Sequence, residues 1–139
     1  LAVYPLHPAA KQARRSTTNF ERFWAFGLGA QSATALLDSK LIALLGRWLL
    51  AMTQAAIRSV RHTSTLAALA VAGALGHHHQ ALSHTQETLR RQLEASGGGS
   101  CTRRAAQVRR DLVTASASTD EMHRARTQLL ETTVPSRSR

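Results

Sequence analysis

Residues 57–75 constrain this chain more than any other stretch. Ile57, Val60, Ser64, Ala67, Ala68, Val71 and Leu75 recur every three or four positions. That spacing lines up one face of an α-helix, whereas a half-buried strand needs strict alternation. Most of these side chains are small, so a second helix backbone can approach closely, as stacked helix pairs require. Composition agrees. Ala and Leu dominate the apolar set and aromatic residues make up only 4%, a balance that favours helix over sheet. With 139 residues and a hydrophobic fraction of 43%, one domain can form a modest core, burying roughly 70% of its unfolded surface.

The rest of the chain reads the same way. Pro5 and Pro8 keep the lead-in extended or turn-rich. A first helix is expected from the good N-cap residues at 16–19, with Phe20, Phe23, Trp24 and Leu28 on one face and Gly27 and Gly29 weakening its end. Asp38 is the expected N-cap of a second helix reaching Met52. Its stripe of Leu41, Leu44, Leu45, Trp48, Leu49 and Met52 is wide enough to pack on more than one side. After a connection at 53–56, the third helix covers 57–75. His77, His78 and His79 follow as a solvated helix end or loop, then a helix over 81–94 exposing Glu87, Arg90, Arg91 and Glu94. Gly97, Gly98, Gly99 and Ser100 form a flexible break. A last helical segment covers 103–131, weak in its Ser- and Thr-rich middle, before Pro135 and a basic tail. The expected fold class is all-α, with antiparallel helix pairs of HEAT-repeat (α-solenoid) type. The expected divisions are a helical region over 1–96, the Gly/Ser break over 97–101 and a basic helical segment with its tail over 102–139.

Eighteen Lys and Arg against eight Asp and Glu give a formal charge of +10, and the excess is present in both halves. Such a balance points to a polyanion or an acidic protein surface. A membrane span is not expected. The apolar run at 66–75 is half the needed length, and Arg47 interrupts 41–57. Nothing calls for enzyme chemistry. There is no Gly-rich phosphate loop. His77, His78, His79 and His84 cannot converge on one ion, because consecutive helical residues point apart and no carboxylate or Cys completes an i,i+4 set. Cys101 is the only cysteine and lacks an activating base. Asp120 and Glu121 project to different faces. No cofactor, metal or small-molecule substrate is expected.

Arg58, Arg61 and His62 form a polar shoulder on the small-residue helix, and the expected role of Arg58 is structural, its fork bonding a neighbouring loop or helix end. His62 is expected to be a hydrogen-bonded packing residue. The run Arg61-His62-Thr63-Ser64-Thr65-Leu66-Ala67-Ala68 closely resembles a helix of the stromalin (STAG-domain) family, which reads approximately Val-Arg-x-Phe-Arg-His-Thr-(Ser/Ala)-Thr-Leu-Ala-Ala, with Ile57 and Val60 in place of the Val and Phe. The likeness extends to Asp38, Leu41, Ile42, Leu44, Leu45 and Leu49. It also takes in Tyr4-Pro5-Leu6, the basic stretch from Lys11 through Arg14 and Arg15, and Asn19-Phe20 with Phe23. Beyond the motif, Thr85-Gln86, Arg90, Arg91-Gln92 and Leu93-Glu94 resemble the family's Thr-Gln-Arg-Gln-x-Glu-Ala segment. Departures include Ala70 for a usual Lys, Thr53-Gln54-Ala55-Ala56 for a Ser-Asp-Ser-Gln turn, and the Gly/Ser break inside a long charged helix.

The resemblance implies a non-enzymatic, nuclear, chromatin-associated scaffold subunit of cohesin. It would dock on the kleisin subunit of the SMC–kleisin ring and support sister-chromatid cohesion and chromosome segregation. The chain, beginning at Leu1 rather than Met, is expected to be a piece of the family's N-terminal region, with the main kleisin-binding surface elsewhere. The expected mechanism is sequence-independent contact with the backbone of double-stranded DNA. Its candidates are Lys11, Arg14 and Arg15, which match the family's basic stretch, and a second strip of Arg103, Arg104, Arg109 and Arg110. Arg58, Arg61, His62, Thr63 and Thr65 carry the family motif. The alternatives are a HEAT-type protein-interaction scaffold unrelated to cohesin, and a basic amphipathic bundle on acidic membranes.

Overall fold

The computed structural model describes residues 4–7, 9–95 and 103–133. Cys101 and the Gly/Ser break at 97–101 lie outside them. Five helices follow one another: α1 (Ala13–Gly29), α2 (Ala33–Asp38), α3 (Leu41–Thr53), α4 (Arg58–Ala95) and α5 (Arg103–Thr133). There is no strand among the described residues. The fold is all-α and its helices pack on one another, as expected for a helical-repeat protein.

The organising element is α4, 38 residues and about 57 Å long at 1.5 Å per residue. It is one continuous helix where the sequence pattern suggested two. Gly76 and the three histidines offer no stop signal such as a proline or a cap. A mid-helix glycine costs only about 1 kcal/mol, which the packing on both sides of α4 offsets. His77, His78 and His79 therefore sit inside a helix rather than at a helix end or in a loop. On its small-residue face Ser64, Ala67, Ala68, Val71, Ala72, Ala74 and Leu75 are all buried. They form the core with Leu28, Leu36, Ile42, Leu49, Met122 and Leu129. One face of α4 thus serves α1, α3 and α5 together.

α1 runs parallel to the first half of α4. Tyr4, ahead of α1, hydrogen-bonds the Thr63 hydroxyl and meets the His62 ring edge-on. At the far end of α1 the Leu28 carbonyl pairs with His78 Nε2 at 3.0 Å. α5 returns antiparallel along the rest of α4. Gly76 faces Arg126, His79 meets His123 with ring centroids 5.4 Å apart, and Gln86 and Arg90 lie beside Leu112 and Ser116. Along α5, Ala105, Val108, Leu112, Ala115, Thr119, Met122, Arg126 and Leu129 are buried or half-buried. They advance in alternating steps of three and four, the spacing of a coiled-coil seam. On α4, Leu75, His79, Leu82, Gln86, Leu89 and Leu93 are buried or half-buried at the same spacing.

Two start positions differ from expectation. α1 begins at Ala13, three residues earlier than the polar cluster, with no side-chain cap at Gln12. Asp38 ends α2 rather than capping α3. Ser32 is the cap of α2, its hydroxyl accepting from Ala35 N–H at 3.1 Å. Burial of Leu36 is what draws 33–38 into a separate turn of helix. The chain then passes through Lys40, which has a φ of 54°, a left-handed conformation uncommon for a residue with a side chain. From there α3 buries Ile42 and Leu49. Its opposite stripe of Leu41, Leu44 and Trp48 is exposed, Trp48 at 66%. Only one side of this helix is packed.

Candidate nucleic-acid interface

Lys11, Arg14 and Arg15 are exposed where the lead-in enters α1. The first turn of α1 holds no acidic residue and no side-chain cap. Its backbone N–H groups and dipole therefore add to the positive field of the three side chains. None of the three has a side-chain hydrogen bond or an ion pair among the described residues, so an approaching anion displaces no protein partner.

The second group opens α5. Arg103, Arg104, Arg109 and Arg110 are all exposed, while Ala105 and Val108 turn inward to α4. Arg110 is held along the helix. Arg110 Nη2 donates to Gln107 Oε1 at 2.7 Å, and Gln107 Nε2 donates to Asp111 Oδ1 at 2.8 Å. Arg103 and Arg110 lie seven residues apart and share a side of the helix.

The two groups do not meet. The start of α1 lies level with residues near 63 of α4, because Tyr4 touches His62 and Thr63. Arg110 lies level with residues just past Arg90, because Arg90 lines one cavity with Leu112 and Val113. That is close to 28 residues of α4, or about 42 Å at 1.5 Å per residue.

Four of the five family-motif residues hold the fold together. Arg61 Nη1 donates to the carbonyl oxygens of Ala55 at 2.7 Å and Ala56 at 2.8 Å, clamping the link between α3 and α4. This is the role expected of Arg58, which is exposed at the first turn of α4 and makes no such bond. The position one turn further along α4 can reach back over its own N-terminus, and the first residue of the helix cannot. His62 packs against Tyr4. Thr63 donates to the Ser59 carbonyl at 2.8 Å, and Thr65 donates to the Arg61 carbonyl at 2.9 Å.

No candidate metal centre joins these groups. His79 and His123 touch, but among the described residues no cluster of three His, Cys, Asp or Glu is placed to hold an ion. No described helix is long and apolar enough to cross a membrane. The fold gathers Lys40, Arg47 and Arg124, none of them a candidate contact in the sequence, along one groove between α3 and α5. Arg124 stands two heptads beyond Arg110, a spacing that would have placed it on the same side of a continuous helix.

The STAG domain model matches residues 2–110. The chain belongs to the STAG-domain family. This is a family of cohesin-associated structural scaffolds. The match takes in the lead-in, the first four helices and the start of α5, and so includes both basic groups. Among curated proteins none matches the chain in sequence.

Proposed function

We propose that this chain is a non-enzymatic, nuclear, chromatin-associated part of a cohesin scaffold subunit, and that it contacts the backbone of double-stranded DNA. The STAG-domain match over residues 2–110 carries the cohesin assignment. It supports kleisin and SMC subunits as the protein partners, and a role in sister-chromatid cohesion and chromosome segregation. The unpaired cations Lys11, Arg14 and Arg15 at an uncapped helix start support phosphate contact. Phosphate contacts position a protein without reading bases, which suits a subunit that must act at any chromosomal site. No aromatic residue is interleaved with the cationic groups, so stacking on single-stranded bases is disfavoured.

Fluorescence anisotropy of a labelled duplex, across salt concentrations, tests the DNA contact. Reversing Lys11, Arg14 and Arg15 to Glu removes three phosphate contacts and lowers the slope of log affinity against log salt by about 2.7. The loss is the same for unrelated duplex sequences. Reversing Lys40 and Arg47 instead acts only through the general field, which salt screens within about 10 Å at 0.1 M. Equal losses in the two variants, or an unchanged slope in the first, would reject the contact. The basicity would then be a diffuse surface property.

A further inference from the structure

The groove between α3 and α5 has a volume of about 380 Å³, near the small end of ligand-binding pockets. Its apolar floor includes Ile42, Leu50 and Leu129. Gly46 opens the floor: a Cβ there would stand 3.7 Å from the Leu129 side chain, so a larger residue would fill the space. Lys40, Arg47 and Arg124 rim it, all exposed and none with a side-chain hydrogen bond or ion pair among the described residues. Glu121 completes the rim on the α5 side.

Lys40 is the one positive-φ non-glycine residue among those described. It follows the end of α2, where a left-handed residue closes a helix, and the bend leads into α3 with Lys40 on the lining of the groove.

We propose that this groove binds a short acidic peptide segment of a partner protein, seating one or two apolar side chains on the floor and pairing its carboxylates with Lys40, Arg47 and Arg124. The charge complementarity is three cations to one carboxylate. A volume of about 380 Å³ takes one or two side chains of a short segment. A nucleic-acid backbone would leave the apolar floor unused, and its continuous run of phosphates would have to pass Glu121. A peptide with isolated carboxylates can avoid it. The inference is independent of the DNA contact, which uses other residues.

The test uses the full 139-residue chain and a fluorescein-labelled probe peptide alternating Glu and Asp with Leu and Phe. The control peptide carries Gln and Asn in place of the acids. Anisotropy should show saturable binding of the acidic peptide and at least about tenfold weaker binding of the neutral one. Lys40→Glu with Arg124→Glu should weaken the acidic peptide about tenfold or more. Gly46→Phe keeps every charge and blocks the floor. It should abolish peptide binding while leaving the far-UV circular dichroism and urea midpoint of the chain unchanged, which shows that the variant is folded. Peptide binding that survives Gly46→Phe, or equal binding of the acidic and neutral peptides, overturns the proposal. Competition of duplex DNA with the peptide, lost in the Lys40→Glu and Arg124→Glu variant, would instead assign the groove to nucleic acid.

Discussion

The orientation of α3 can be decided by two substitutions of identical chemistry on one helix. Leu49 is 2% exposed and belongs to the core, whereas Leu44 is 55% exposed on the opposite stripe. Changing Leu to Ala removes three carbons, worth about 2.4 kcal/mol of transfer free energy at a fully buried site. A residual cavity on the order of 50 Å³ adds about 1.2 kcal/mol. Leu49→Ala should therefore cost about 3.6 kcal/mol. Leu44 already meets water over half its surface, leaves no cavity, and gains slightly from alanine's higher helix propensity, so Leu44→Ala should cost under about 1 kcal/mol. A chain of this length holds on the order of 7 kcal/mol or more, so both variants stay folded. Urea denaturation followed by far-UV circular dichroism reads the difference. With an m-value of about 1.5 kcal/mol/M, Leu49→Ala lowers the midpoint by about 2.4 M and Leu44→Ala by less than about 0.7 M. Equal losses would show that both stripes are packed in the isolated chain. A reversed order would turn α3 over and dissolve the groove between α3 and α5.

Two further outcomes follow from the packing. Arg61→Ala breaks two hydrogen bonds to the link between α3 and α4 and should cost about 1–2 kcal/mol, while Arg58→Ala stays within about 0.5 kcal/mol. The same urea titrations compare them, and equal effects would mean that the clamp contributes nothing. Phe26 at 80% and Trp48 at 66% exposed are sticky surface groups, so sedimentation velocity should show association that rises with concentration and is reduced by Trp48→Lys together with Phe26→Lys.

The all-α class was legible because Ile57, Val60, Ser64, Ala67, Val71 and Leu75 keep one helical register without interruption. The stop at His77 was misread because a glycine and three polar residues look like an end when only local propensity is weighed. The cause of continuity is non-local: Leu28 and Arg126 cover that stretch from other helices. The seam of α5 was hidden by its chemistry. Ala115, Thr119 and Arg126 occupy positions where a hydrophobic scan expects Leu. Small and polar residues suffice there because they face the small residues and histidines of α4. Arg61 and Arg58 could not be told apart, since both lie on the polar shoulder and only the path of the link from α3 decides which one reaches a carbonyl. Lys40, Arg47 and Arg124 were individually plain, and their grouping depends on how α3 lies across α5.

The separation of the two basic groups turns the proposed DNA contact into a question of length. They lie about 42 Å apart along α4, and a duplex advances 3.4 Å per base pair, so one duplex must exceed about 12 base pairs to touch both. On a duplex of about 24 base pairs, both groups can engage at once. Reversing Arg103, Arg104, Arg109 and Arg110 then removes up to four contacts and should lower the salt slope by about 3.6. On a duplex of about 8 base pairs, only one group can engage at a time. The same reversal then leaves the Lys11, Arg14 and Arg15 group to bind alone, and the slope should change by less than one contact's worth, about 0.9. Short duplexes condense fewer counterions at their ends and give a smaller slope per contact, so each loss is expressed as a fraction of the unaltered chain's slope on the same duplex. α4 sets that distance because it is one continuous helix with α5 packed along it. The same slope change on both duplex lengths would mean that the groups do not act on one duplex. Loss of slope on neither would leave the α5 strip as a solvated face, with any contact confined to the start of α1.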